Sequence, residues 1–70
     1  MFPNLDAEQV RNGHTNEYVA KQLGISRRTY ENKKRSGAFR LSEVKTLCEM
    51  YQMPLDYLFD DIDVDNGAIL

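Results

Sequence analysis

Residues 15–37 read TNEYVAKQLGISRRTYENKKRSG. Thr15 offers a helix N-cap, and Glu17 falls in the first turn, where the helix macrodipole favours an anion. Val19, Ala20 and Leu23 then place an apolar stripe along the helix. Gly24 ends it, because glycine reaches the left-handed region without steric cost. Ile25 follows as an isolated apolar residue. Ser26 caps a second helix, expected over Arg27 to about Arg35 and closed by Ser36-Gly37. Ala20 is small and sits four residues before Gly24, which permits close approach of the second helix. Ile25 and Tyr30 are spaced to pack back on Val19 and Leu23. Two helices on the short connection Gly24-Ile25-Ser26 are the helix-turn-helix arrangement, in which helices at roughly 90–120° are joined by about 3–4 residues.

Helical spacing continues on both sides of this unit. Upstream, Asn4 is placed to cap a short helix from Leu5 through Val10, with Asn12-Gly13 as its exit. Downstream, Ser42 is placed to cap a helix on which Val44, Leu47, Cys48 and Tyr51 recur at i, i+3, i+4 and i+7. This is the cleanest amphipathic pattern of the chain. Pro54 lacks an N–H but suits a first turn, so a break is expected near Met53 and a short fifth helix over Leu55–Phe59. No period-2 run elsewhere is long enough to build a sheet. The expectation is therefore an all-α fold, a compact five-helix bundle spanning residues 1–59. Residues 60–70 differ in kind, acidic first and apolar afterwards. They read either as a frayed terminus or as an arm or strand that pairs with a second subunit.

Composition narrows the function. Seventy residues with 41% hydrophobic content allow one small core, and domains of this size bury only about 60% of their unfolded surface. Cys48 is the sole cysteine and His14 the sole histidine, so neither an internal disulfide nor a structural zinc site can supplement that core. Helix packing, oligomerisation or both must supply stability. No apolar run approaches the roughly 18 residues of a membrane span. The opening MFPNLDAEQ lacks the features of a secretory signal, and the free cysteine fits a reducing cytoplasm. The sequence offers no nucleophile–base set, phosphate-cradling glycine loop or paired catalytic carboxylates, so an enzyme is not expected. The run Asp61 to Gly67 only faintly echoes a calcium loop, with its glycine one position late. No cofactor and no small-molecule effector are expected. Tyr30, Tyr51, Tyr57, Phe39 and Phe59 read as core, Cys48 as a small buried hydrophobe, and Tyr18 as an outward aromatic.

The net charge of −2 conceals a strong polarity. Residues 1–40 carry eight basic and four acidic groups, whereas residues 41–70 carry one basic and seven acidic. Between Arg27 and Arg40, six basic residues stand against Glu31 alone. Such asymmetry points one face toward a polyanion. In a helix-turn-helix the start of the second helix reaches base edges in the major groove. The planar forks of Arg27 and Arg28 match guanine O6 and N7, and Asn32, one turn after Arg28, matches adenine. Lys33, Lys34, Arg35 and Arg40 suit phosphate neutralisation, and Asn16 at a helix N-terminus suits a phosphate contact. The rival expectation is a protein-binding adaptor or antirepressor that keeps the bundle without binding DNA.

Residues 2–59, about four-fifths of the chain, resemble the Cro/phage-repressor helix-turn-helix family, also called the xenobiotic response element family. The resemblance rests on Phe2-Pro3-Asn4-Leu5, the series from Thr15 through Val19-Ala20 and Leu23-Gly24-Ile25-Ser26, Tyr30, Phe39-x-Leu41-Ser42-Glu43, and Leu55-Asp56-Tyr57-Leu58-Phe59. It implies a lambda-repressor-like five-helix bundle, sequence-specific binding of a double-stranded operator as a homodimer, and transcriptional control of the phage or prophage repressor kind. It further implies base contacts at Ser26, Arg27, Arg28 and Asn32 and a phosphate contact at Asn16. The dimer surface would lie within Leu55–Leu70. Some positions depart from the family pattern. Asn16 replaces a customary glutamine, His14 a customary apolar residue, and Pro54 a customary cap. Lys33 and Lys34 stand in a region where a core-facing Leu or Ile is common, so one of them must thread its stem along the core, or the helix end shifts.

Overall fold

The computed structural model describes residues 2–59. Expectations for Asp60–Leu70, including the dimer arm and the calcium-loop echo, lie outside the described residues. Five helices follow in order: α1 (Pro3–Arg11), α2 (Asn16–Leu23), α3 (Arg27–Ser36), α4 (Leu41–Tyr51) and α5 (Leu55–Leu58). No strand occurs among the described residues.

Local chemistry fixes the ends of α2 and α3. The Thr15 hydroxyl accepts from the Tyr18 N–H at 3.0 Å, and the Ser26 hydroxyl accepts from the Thr29 N–H at 3.1 Å. Each satisfies one of the orphan donors of a first helical turn. Gly24 sits at φ +74°. Its N–H donates to the Lys21 carbonyl and the Ile25 N–H to the Ala20 carbonyl. This paired closure is a Schellman motif, and it turns the chain directly into the cap of α3. Gly37 ends α3 in the same left-handed region at φ +79°.

Two caps differ from expectation. Asn4 does not cap α1, because the helix begins at Pro3 with Phe2 in the cap position. Proline suits that first position, its missing N–H being an orphan in any case. Phe2 is fully buried, and Asn4 Nδ2 donates instead to the Tyr57 carbonyl at 2.9 Å, joining α1 to α5. Nor does Ser42 cap α4. That helix begins at Leu41, and the buried Glu43 carboxylate reaches back to the Arg40 N–H at 2.8 Å. Glu43 is held there by Lys33, whose Nζ lies 3.2 Å from its Oε1. At α1 a tertiary contact thus displaces the expected cap, and at α4 a local capping-box bond does so, with Lys33 as the tertiary brace of Glu43. The fifth helix ends at Leu58, and Phe59 closes it.

The core is aromatic at its centre. Phe59 meets Phe2 at 5.1 Å between ring centroids and Phe39 at 5.4 Å, with both pairs edge-on. Tyr30 adds a further edge-on contact to Phe39 at 6.2 Å. Such pairs are worth about 0.5–1.5 kcal/mol beyond the area they bury. Leu5, Val19, Ala20, Val44, Leu47, Tyr51 and Leu58 are buried around them. α5 turns its apolar groups inward: Leu58 is buried, while Leu55 and Tyr57 are half-buried. Among the described residues, the large apolar side chains left exposed are Val10, Tyr18 and Leu41.

Replacing Gly24 by alanine should lower stability by about 1–2 kcal/mol through left-handed backbone strain alone, because a Cβ there meets no atom within 4 Å. Urea unfolding checks this, and Gly24→Asn should be milder because asparagine tolerates that region.

Candidate nucleic-acid interface

Helical periodicity divides α3 into two faces. Tyr30 is completely buried and marks the inner one. Arg28, Asn32 and Arg35, at i, i+4 and i+7, lie on the opposite side and are exposed. Ser26, Arg27 and Thr29 are exposed as well. The Ser26 hydroxyl is committed locally, since it also donates to Thr29 Oγ1 at 2.8 Å while capping the helix. Among the described residues Arg28, Arg35 and Arg40 take part in no ion pair. Arg27 stands in a loose one, its Nε 3.8 Å from Glu31 Oε2, with two-thirds of its side chain in solvent.

Three expected phosphate ligands, Lys34, Lys33 and Asn16, have partners within the fold. Lys34 is only 15% exposed, and its Nζ reaches Asp6 Oδ1 at 2.7 Å. The same ammonium donates to Asn16 Oδ1 at 2.9 Å and Gln9 Oε1 at 3.3 Å, and lies 5.0 Å above the Tyr30 ring. Lys33 is 18% exposed and paired with Glu43, and it also donates to the Ala38 carbonyl at 3.3 Å. Both lysines therefore run their stems along the core and spend their charge inside the molecule. Asn16 is equally committed: its Oδ1 accepts from Gln9 Nε2 at 3.1 Å as well as from Lys34, and its Nδ2 donates to Glu31 Oε2 at 3.1 Å. What Asn16 and Glu17 still present are the first-turn N–H groups of α2, which have no acceptor within the helix. Arg35 and Arg40 keep exposed side chains, as expected.

Gln9 is the hub that sequence reasoning missed. It is buried, it accepts from the Tyr30 hydroxyl, and it bonds Asn16 and Lys34. A glutamine in a polar helix carries no sequence signal of burial. For the lysines a partial signal existed, since they stand where the resembled family commonly has a core-facing Leu or Ile. Burial, with smaller contributions from Tyr51 and Asp6, pushes the Tyr30 hydroxyl far above its ordinary value, so it remains a donor at any physiological pH.

A second aromatic cluster lies at the start of α2. The His14 ring sits 4.4 Å from that of Tyr18, and His14 Nδ1 is 2.9 Å from the Tyr51 hydroxyl. Burial, then Tyr18 and Glu8, pushes the Tyr51 hydroxyl up to about 12. Tyr18 is thus an exposed aromatic braced by a neighbour. Burial and then Glu49 raise the Cys48 thiol, which disfavours the reactive thiolate.

Among the described residues there is no cavity, no group of side chains able to hold a metal ion, and no helix long and apolar enough to cross a membrane. The candidate site is the convex outer face of α3. Comparison with protein-family models, curated proteins and solved structures finds no significant match.

The two basic classes should separate in stability measurements. Lys34→Met, which keeps the stem and deletes the charge, should cost about 1–3 kcal/mol by leaving polar partners under-satisfied. Arg35→Ala should stay within about 0.5 kcal/mol of the parent, as expected of an unpaired surface residue. Chemical denaturation of both variants checks the contrast.

Proposed function

We propose that this protein is a transcriptional regulator that binds double-stranded DNA, with α3 entering the major groove. The observation that carries this reading is the exposed Arg28–Asn32–Arg35 face, directly opposite the buried Tyr30. The face combines a guanine-reading side chain with an adenine-reading one. α3 spans ten residues, about 15 Å, and an α-helix fits a major groove about 12 Å wide. The Schellman turn from α2 into α3 supports a helix-turn-helix geometry, as does the sequence resemblance to the Cro/phage-repressor family.

In this reading Arg28 and Asn32 contact base edges, with Arg27 beside them and Ser26 fixing the helix start. Arg35 and Arg40 neutralise phosphates, joined by the first-turn N–H groups of α2. Asn16, Lys33 and Lys34 serve by holding α3 in place. The functional unit is a homodimer on a near-palindromic operator, since one copy reads a single half-site. The protein acts in the cytoplasm and requires neither cofactor nor small-molecule effector.

A salt titration with a random-sequence duplex tests the reading. Binding at low salt should fall steeply as salt rises, because bound phosphates release counterions. Arg28→Ala should reduce discrimination among sequences by roughly 1–3 kcal/mol. Arg40→Ala should weaken every duplex alike and lower the salt slope by about one. Absence of binding at low salt would instead favour a protein-binding adaptor built on the same bundle.

A further inference from the structure

Glu31 is the only carboxylate on α3, and it stands beside a basic outer face. Its Oε2 accepts from Asn16 Nδ2 at 3.1 Å and lies 3.8 Å from Arg27 Nε, one turn earlier. Asn16 is itself held by Lys34 and by the buried Gln9. Glu31 is therefore the outer end of a polar chain that begins in the core, at the Tyr30 hydroxyl on Gln9.

Helix stability does not account for this arrangement. An exposed i,i+4 pair contributes little. The order Arg27 before Glu31 is also the less favourable one, and Arg27 occupies a first turn where the macrodipole disfavours a cation. On a surface that meets phosphate the carboxylate cancels attraction as well. Its contribution lies in the shape it imposes on Arg27. A guanidinium whose Nε side faces the carboxylate, here across a 3.8 Å ion-pair contact, leaves its two terminal nitrogens free, and these form the edge that can pair with guanine O6 and N7.

We propose that Glu31 is a specificity-determining positioning residue, which orients the Arg27 fork toward a base and keeps phosphate away from that stretch of α3. The inference rests on the DNA-reading function proposed above. It predicts a surface that gives up non-specific affinity for discrimination.

Glu31→Gln tests it, because the amide oxygen still accepts from Asn16 while the charge is lost. Affinity for a random-sequence duplex should rise about five- to tenfold near 0.1 M salt, the effect of one phosphate interaction gained. In selections from a random duplex pool, preference at the base pair read by Arg27 should fall roughly fivefold, while preference at the Arg28 position persists. Glu31→Asp, which keeps the charge but shortens the reach, should lose the preference without the gain in affinity. Equal rises for random and selected duplexes would reduce Glu31 to a bulk charge, and a fall in random-duplex affinity would reduce it to a fold-stabilising residue. Either result overturns the proposal. Nitrogen relaxation of the arginine Nε–H groups, measured without DNA, supplies an independent readout. Arg27 should be more ordered than Arg28 in the parent and equal to it in Glu31→Gln. Equal mobility in the parent overturns the proposal whatever DNA does. Ordered Arg27 in a parent that binds no duplex leaves the contact standing but overturns its role in specificity, together with the DNA-reading function.

Discussion

Everything on the outer surface of α3 depends on the burial of Tyr30. Its ring packs edge-on against Phe39, its hydroxyl donates to Gln9, and the Lys34 ammonium lies over its face. A buried aromatic contributes large apolar area, and its polar tip must find a partner. Satisfying both demands at one residue fixes the rotation of α3 about its own axis. Once Tyr30 points inward, Arg28, Asn32 and Arg35 point outward by helical geometry.

The charge of α3 is consequently of two kinds. Lys33 and Lys34 flank Tyr30 and are neutralised by Glu43 and Asp6 from other parts of the chain. Removing cations from water is tolerable only with such partners and hydrogen bonds in place. These pairs also tie α3 to α4 and α1, in addition to its packing against α2. The arginines remain in solvent, and among the described residues Arg28, Arg35 and Arg40 carry their charge without an internal ion-pair partner, whereas Arg27 faces Glu31. A count of basic residues from Arg27 to Arg40 overstates the free positive charge of this segment, because a third of them, Lys33 and Lys34, are paired within the fold.

The same network links the core to the surface. Tyr30, Gln9, Asn16 and Glu31 form a connected series of donors and acceptors that ends beside Arg27. Buried polar networks of this kind contribute orientation when every member is satisfied. In a domain with so small a core, aromatic packing of Phe2, Phe39 and Phe59 supplies the cohesion, and the polar series supplies the alignment.

The number and order of helices were legible in the sequence because their signals are local. Thr15 and Ser26 cap by bonding residues three positions on, and Gly24 and Gly37 end helices through a conformation their own lack of a side chain permits. The apolar spacing of Val44, Leu47 and Tyr51 likewise declares which side of α4 is buried. The exposure of Arg28, Asn32 and Arg35 follows from the same periodicity. Other features were decided only in three dimensions. Asn4 is a good cap by type, yet Phe2 burial and the Tyr57 carbonyl draw it elsewhere, and Lys33 braces the Glu43 carboxylate that starts α4 in place of Ser42. Asn16 and Lys34 look like phosphate ligands in isolation, but Gln9, Asp6 and Glu31 reach them from across the bundle. Short-range chemistry is written in adjacent residues, whereas the partner of a long polar side chain is settled by whichever group the packed core brings within reach.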